Sequence, residues 1–166
     1  MDLIIEPAAS DDAEEILALQ RLAYQSEAAI YDDYTIPPLT QTLEEIVADL
    51  QRQTFLKATM DGRIVGSVRA YMREGTCFVG RLVVHPSVQN QGIGSRLMSE
   101  IEGTFEQVKR FELFTGHHSE RNLHLYQKLG YRSYRAIKVT DALTIVYLEK
   151  IAQELQSTRT LGDTKE

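Results

Sequence analysis

Residues 83–98 are the part of this 166-residue chain whose residue types and spacing best fit a chemical role. Leu82, Val83 and Val84 predict a strand buried on both faces, and Pro86 ends it because proline cannot donate to a sheet ladder. Apolar residues then recur with helical spacing and predict a helix of about four turns. These are Ile93, Leu97, Met98, Ile101, Phe105 and Val108.

The turn between that strand and helix has the composition of an anion site. Gly92 and Gly94 lie where the helix begins, and a helix start presents unpaired N–H groups and a partial positive charge. The missing Cβ atoms let a ligand approach the backbone closely. We therefore predict a cradle for a phosphate or pyrophosphate, formed by Gln89, Asn90, Gln91, Gly92, Gly94 and Ser95. The alternative is a turn that needs glycine for its geometry alone.

Two common nucleotide motifs do not account for this turn. The dinucleotide fingerprint needs a small residue where Leu97 stands, and the Gly-Lys-Ser/Thr of a P-loop is absent.

Composition narrows the class of protein. A net charge of −6 argues against nucleic acid and anionic lipid as partners, and no apolar run has the length of a membrane span. Acidic residues interrupt the N-terminus, so it does not match a signal peptide. One cysteine, Cys77, excludes an internal disulfide and a cysteine metal cluster, and we expect it to be buried in a strand. These features predict a cytoplasmic protein without a metal.

The remaining elements follow from periodicity and turn signals. We predict strands at 3–5, 55–60, 63–72, 77–84, 111–115, 131–139 and 142–148, with helices near 11–28, 42–50, 93–108 and 119–129. Asp61-Gly62 predicts a hairpin, and the spacing of Thr42 and Glu45 predicts a capping box. Residues 30–40 are predicted to form a loop, and Gly130 is predicted to be a left-handed helix cap. Strand, helix and strand around residues 93–108 predict parallel neighbours. The order β-α-α-β-β-β-α-β-α-β-β predicts an α/β domain over residues 1–149, and residues 150–166 form a polar tail.

A second motif spans Ser119–Tyr131. It predicts a helix capped by Ser119, in which Tyr126 is either a core aromatic residue or a functional one. Gln-x-x-Gly-x-Gly after Val-Val-x-Pro, followed by Leu-Tyr-x-Lys-x-Gly-Tyr, resembles the GNAT superfamily of acetyl-CoA-dependent N-acetyltransferases. The element order is also similar to that fold, a mixed sheet flanked by helices, over nearly the whole chain.

The resemblance implies acetyl transfer from acetyl-CoA by direct attack of an amine in a ternary complex. It implies that residues 89–95 hold the pyrophosphate, and that main chain at Leu82–Val84 pairs with the pantetheine arm and stabilises the oxyanion. Ser119 and Asn122 would contact that arm. Many members of the family carry asparagine where this chain has Ser119, so either Ser119 or Asn122 could be the hydrogen-bonding partner of the arm. Tyr126 would protonate the leaving thiolate.

The base and the acceptor are less defined. An alkyl amine is only ~0.04 % neutral at pH 7, so a base must accept its proton. Many members of the family carry a glutamate on the strand before the motif, but the nearby position in this chain is Arg81. The alternatives for a base are Glu27, Glu112, His117, His118 or a water chain. The aromatic and acidic residues Tyr24, Glu27, Tyr31 and Tyr34 suit a cationic small amine or polyamine by cation–π and charge contacts.

Four questions stay open at this point. The acceptor could instead be a protein N-terminus or lysine, and the acyl group could be longer than acetyl. The chain could also be a non-catalytic acyl-CoA sensor. Both a monomer and a homodimer fit the sequence.

Overall fold

A computed structural model of the protein describes residues 2–152. Its strands form a seven-stranded sheet in the order β1-β2-β3-β4-β5-β7-β6. The pairs β1–β2, β2–β3, β5–β7 and β6–β7 are antiparallel, whereas β4–β5 is parallel. The predicted mixed α/β sheet flanked by helices is therefore confirmed. The strands are β1 (Ile4–Pro7), β2 (Thr54–Met60), β3 (Arg63–Arg73), β4 (Thr76–Val84), β5 (Arg110–Gly116), β6 (Arg132–Lys138) and β7 (Thr144–Ile151).

The helices lie between these strands. Short 3-10 turns at Ser10–Asp12 and Pro86–Val88 precede α1 and α5 respectively. The helices are α1 (Ala13–Ala23), α2 (Gln25–Tyr31), α3 (Pro37–Thr40), α4 (Leu43–Arg52), α5 (Ile93–Thr104) and α6 (Glu120–Lys128). None of the helices within residues 2–152 is long and apolar enough to cross a membrane.

Local signals in the sequence located several turns correctly. Asp61 and Gly62 both adopt positive φ, 53° and 78°, the conformation of a tight hairpin turn between β2 and β3. The amide of Glu45 donates to Thr42 Oγ1 and the amide of Thr42 to Glu45 Oε1, which completes the predicted capping box of α4. Gly130 has φ of 99° and follows α6 as the predicted left-handed cap.

Four element boundaries differ from the predictions. The first helix does not continue to residue 28, because Tyr24 has ψ of −1° and separates α1 from α2. The predicted loop contains α3, since prolines are tolerated at a helix start, where the first N–H groups lack partners anyway. Helix α5 ends at Thr104, before Phe105 and Val108, because Gly103 and Thr104 are weak helix formers. Strand β7 runs to Ile151, past the predicted boundary at residue 149. Residues 153–166, most of the predicted tail, lie outside the described residues.

The contacts group into two compact units, and Met1–Tyr71 with Val79–Thr104 forms the first. Its core brings together buried apolar side chains of α1, α4, β2, β3 and β4. They are Ala13, Ile16, Leu17, Leu19, Ile46, Phe55, Ile64 and Val83. Helix α5 adds Leu97, Met98 and Ile101, which are fully buried. This packing fixes the strand and helix on either side of the glycine turn.

Gly66 lets α5 lie close to β3 and β4. A Cβ atom there would be 2.9 Å from Leu97 Cδ1, 3.2 Å from Ile93 Cγ2 and 3.3 Å from the Val83 carbonyl oxygen. We expect Gly66→Ala to lower the free energy of unfolding by ~1–3 kcal/mol, the usual cost of overpacking. Denaturation in urea measures the change.

Gly103→Ala is the matched control for that substitution. A Cβ atom at Gly103 meets nothing within 4 Å, and alanine favours the helix by roughly 0.5–1 kcal/mol. The two glycine-to-alanine changes should therefore shift stability in opposite directions. Equal stability of the two variants would contradict the close approach at Gly66.

Met72–Phe78 and Phe105–Glu166 form the second unit, described here for residues up to 152. Thr76–Phe78 of β4 pair with Arg110–Glu112 of β5, which confirms the predicted parallel neighbours. Cys77 is fully buried in β4, as expected. Leu113 and Leu148 are buried on neighbouring strands, while every residue of β6 is exposed.

Candidate functional site

Two hydrogen bonds hold the glycine turn of the first unit at the end of β4. The amide of His85 donates to the carbonyl oxygen of Val65 at 2.7 Å, which anchors the end of β4. Gln89 Nε2 donates to the carbonyl oxygen of Val84 at 3.5 Å. Asn90 and Gly92 then adopt positive φ, 64° and 81°. Left-handed residues in such a turn direct successive main-chain amides toward one side, which is how anion-binding concavities are built.

Helix α5 begins immediately after this turn. The main-chain amide of Arg96 donates to the carbonyl oxygen of Gly92 at 3.1 Å, so the amides of residues 93–95 precede the first intrahelical bond. Ile93 is buried and fixes the helix start, whereas Gln91 and Gly92 are exposed. A Cβ atom at Gly92 would meet no atom within 4 Å. The space beside Gly92 is therefore open, so an anion can approach the helix start at this residue.

The strand before the turn presents main chain rather than reactive side chains. Leu82 and Val84 are half-buried, and Val83 is part of the core. Arg81, just before them, has φ of 49°. A left-handed residue within a strand is typical of a bulge, which interrupts the ladder and redirects the neighbouring groups.

The second unit contains the other motif. Ser119 is the N-cap residue of α6 and is almost fully buried, and its carbonyl oxygen accepts from the Leu123 amide at 3.0 Å. Ser119 is therefore at the predicted N-cap position, but the prediction that its side chain caps the helix was wrong, because that side chain makes no capping hydrogen bond. Asn122 Nδ2 donates to Thr115 Oγ1 at 3.3 Å, which ties α6 to β5.

Tyr126 is the buried aromatic residue of α6, with 7 % of its surface exposed. Its ring meets that of Tyr131 edge-on at a centroid distance of 6.1 Å. The Tyr131 amide donates to the Tyr126 carbonyl oxygen at 3.0 Å across the Gly130 cap. The ring is thus held by packing, and both the core and the functional interpretation are consistent with this position.

The residues predicted to line an acceptor pocket lie on α2 or next to it in the sequence. Tyr24 joins α1 to α2 and is half-buried, as are Glu27 and Tyr31, while Tyr34 is 52 % exposed. Burial raises the pKa of the Tyr24 hydroxyl, although the nearby positive charge of Arg81 opposes the shift. Tyr24 is therefore a neutral hydrogen-bonding group at neutral pH.

The candidates for a base in the second unit are already engaged. Glu112 Oε1 accepts from Arg110 Nη2 at 2.8 Å and from the Tyr134 hydroxyl. His117 Nδ1 accepts from the Thr144 amide at 3.0 Å, and its ring contacts that of His118 at a tilt of 37°, with 3.7 Å between the ring centroids. No group of His, Cys, Asp or Glu in the described part of the chain could hold a metal ion.

Sequence reasoning missed a polar cluster in the first unit that surrounds Gln41. Gln41 Oε1 accepts from Gln20 Nε2 and from Arg81 Nη1, both at 3.0 Å. Gln41 Nε2 donates to Asp49 Oδ2 at 2.6 Å, and Asp49 forms an ion pair with Arg69 at 2.7 Å. These residues come from α1, α4, β3, β4 and the residue after α3, so no local pattern connects them.

Comparison with known proteins identifies the family. The sequence pattern of the acetyltransferase (GNAT) family matches residues 13–131. The chain belongs to this family. It is 28 % identical over 133 residues to the UPF0157 protein YqkA of Bacillus subtilis, a match that covers 80 % of this chain but only 38 % of that protein.

Solved structures share the fold. The PaiA N-acetyltransferase of Thermoplasma acidophilum, crystallised with coenzyme A, superposes with a TM-score of 0.77 at 18 % identity, covering 91 % of this chain and 99 % of that one. An acetyltransferase of the GNAT family from Streptococcus pneumoniae gives 0.70 at 25 % identity, covering 90 % and 99 %. The ribosomal-protein-S18-alanine N-acetyltransferase of Escherichia coli gives 0.75 at 14 % identity, covering 91 % and 94 %.

Proposed function

We propose that this protein is an acetyl-CoA-dependent N-acetyltransferase that acts on the amine of a small acceptor by direct attack in a ternary complex. The observation that carries the proposal is the turn at Gln89–Ser95. Its left-handed residues Asn90 and Gly92 lead directly into α5, and the space above Gly92 is open. Family membership and the coenzyme A complex of a structural relative support the same donor.

Two stretches of main chain would hold the donor in the first unit. The amides of residues 89–95 would bind the pyrophosphate, since they combine a partial positive charge with unpaired N–H groups. The main chain at Leu82–Val84 would pair with the amide-rich pantetheine arm of acetyl-CoA in the manner of an added strand. An N–H there would also stabilise the negative charge that develops on the thioester oxygen.

The second motif would act at the sulfur end of the donor. Ser119 and Asn122 would contact the arm, and Tyr126 would serve as general acid. In the reaction the amine nitrogen bonds to the acetyl carbon, the carbon–sulfur bond breaks, and the Tyr126 hydroxyl gives its proton to the sulfur. The proton lost by the amine passes to water, and solvent then restores the phenol.

Glu112 is a poor base for this step. Its carboxylate already accepts hydrogen bonds from Arg110 and Tyr134, so it would have to give up one of these partners to accept the amine proton. A water chain is therefore the route that we propose for removal of the amine proton.

Calorimetric titration with acetyl-CoA tests the donor assignment, with NAD and ATP as controls. We expect saturable binding of acetyl-CoA alone. Absence of binding would mean that both motifs are only structural, and the proposal would be wrong.

A thiol-release assay with a panel of amines then tests catalysis. Release of free coenzyme A that depends on the amine supports the enzyme. Tight binding of acetyl-CoA without thiol release from any amine would identify an acyl-CoA sensor instead.

A further inference from the structure

The cluster around Gln41 brings three arginines near a single carboxylate. The side chain of Gln41 contacts Arg81 and Asp49, and its carbonyl oxygen accepts from Arg21 Nη2 at 2.8 Å. Arg69 forms the ion pair with Asp49. We call these residues, Arg21, Gln41, Asp49, Arg69 and Arg81, the arginine cluster. Its positive charges outnumber its negative one.

Arg81 is a member of the cluster without an ion pair, and the charge of Asp49 compensates it only in part. Its hydrogen bond goes to the neutral amide oxygen of Gln41, and no carboxylate in residues 2–152 forms an ion pair with it. Desolvation and the neighbouring charge of Arg69 lower the pKa of its guanidinium, although an arginine still stays charged at neutral pH. A half-buried cation in this state gains stability when an anion binds beside it.

The donors of Arg81 and Tyr24 define what kind of anion fits. Tyr24 interacts electrostatically with Arg81 and Arg69 and also with the carboxylate of Glu27, and burial keeps its hydroxyl protonated, so that it can donate. A guanidinium presents several N–H donors in a planar fork that matches a carboxylate. A phenol beside the fork adds one further donor.

The position of Arg81 along β4 places this anion site next to the proposed site of acetyl transfer. Arg81 directly precedes Leu82–Val84, whose main chain is proposed to pair with the pantetheine arm of acetyl-CoA. A carboxylate bound at Arg81 would therefore belong to the molecule that carries the reacting amine. Its positive φ of 49° is a conformation that a non-glycine residue seldom adopts, as expected where the strand is shaped for a site.

We propose that Arg81, together with Tyr24, binds a carboxylate of the acceptor, which is an amino acid or another amine that bears a carboxylate. This inference rests on the proposed function and narrows its acceptor class. It replaces the polyamine suggested by the aromatic residues of the segment, because a second cation would be repelled by the arginine cluster.

Matched acceptors test the inference directly. Each amino acid is compared with its decarboxylated amine, such as lysine with cadaverine and phenylalanine with phenethylamine, and kcat/KM is measured by thiol release. We expect at least about a tenfold preference for the member that carries the carboxylate. Arg81→Gln should bring this ratio close to one, mainly through a higher KM for the amino acid, and Arg81→Lys should retain part of it.

Arg63→Gln is the control, since Arg63 is exposed on β3 of the same unit. It should preserve the wild-type ratio. A thermal melt shows whether Arg81→Gln is folded, and Tyr24→Phe supplies a second variant that should reduce the ratio several-fold. An equal or inverse preference in the wild type, or a ratio that survives in folded Arg81→Gln, would overturn the inference while leaving the acetyltransferase intact.

Binding separates this inference from the proposed function. With coenzyme A saturating, N-acetyl-lysine and N-acetyl-phenylalanine are titrated against N-acetylcadaverine and N-acetylphenethylamine, which lack the carboxylate. Binding of the carboxylates that is at least about tenfold tighter, and that requires Arg81, would support the carboxylate site even if no amine were acetylated. Equal affinities, or no binding of any of these compounds, would contradict it whatever the result of the turnover assay.

Discussion

Gly92→Glu is expected to abolish the binding of acetyl-CoA, with the dissociation constant raised by at least about a hundredfold. The added carboxylate would enter the open space in front of the amides that are proposed to bind pyrophosphate, and it would repel the donor. The backbone of residue 92 has φ of 81°, which costs a side chain roughly 1–2 kcal/mol. Calorimetric titration measures the affinity.

Gly62→Glu is the matched control for that variant. Gly62 has φ of 78°, and a Cβ atom there also meets nothing within 4 Å. The same strain and the same charge are thus introduced in the β2–β3 hairpin. We expect Gly62→Glu to bind acetyl-CoA as the wild type does. Full affinity in folded Gly92→Glu would refute the phosphate assignment.

Tyr126→Phe is expected to lower kcat by about a hundredfold and to change the KM for acetyl-CoA little. General acids increase the rate on the order of 10²-fold or more. We expect the loss of kcat to be at the lower end of this range because a thiolate is a good leaving group. The ring itself remains, so the packing against Tyr131 should persist. Steady-state kinetics with one amine acceptor give both constants.

Tyr131→Phe removes a hydroxyl from the contacting ring and serves as the comparison. Tyr131 is 2 % exposed and contacts Tyr126 edge-on. If loss of a buried phenol oxygen acted only through packing, both variants would slow the reaction alike. A rate for Tyr126→Phe equal to that of the wild type would reduce Tyr126 to a core residue.

The features that the sequence predicted well are those set by short-range physics. The hairpin at Asp61-Gly62 follows from two residues that tolerate positive φ. The capping box at Thr42 and Glu45 needs only their spacing. The parallel pairing of β4 with β5 follows because a helix between two strands returns the chain in the same direction. The glycine turn was located by the same reasoning, since glycine and a helix start are both local signals.

Other features depend on contacts between distant residues. Gln41 and Arg81 are 40 residues apart, and Gln41 lies between the predicted loop and the predicted capping box, so nothing nearby marked it as the centre of a cluster. Val108 fits a helical repeat, yet it is buried after α5 has ended. In such cases tertiary packing decides the outcome. The chemical class of the acceptor was equally hard to predict from the sequence, since charged residues from several elements determine it.

The burial of Cys77 has a practical consequence for enzymology. It is the one cysteine of the chain, and none of its surface is exposed. A chromogenic disulfide reagent should therefore react with coenzyme A released during turnover and leave the folded protein untouched. The same reagent added to a denaturant series would report when β4 becomes accessible, so that a single colour reaction can monitor both catalysis and the integrity of the sheet.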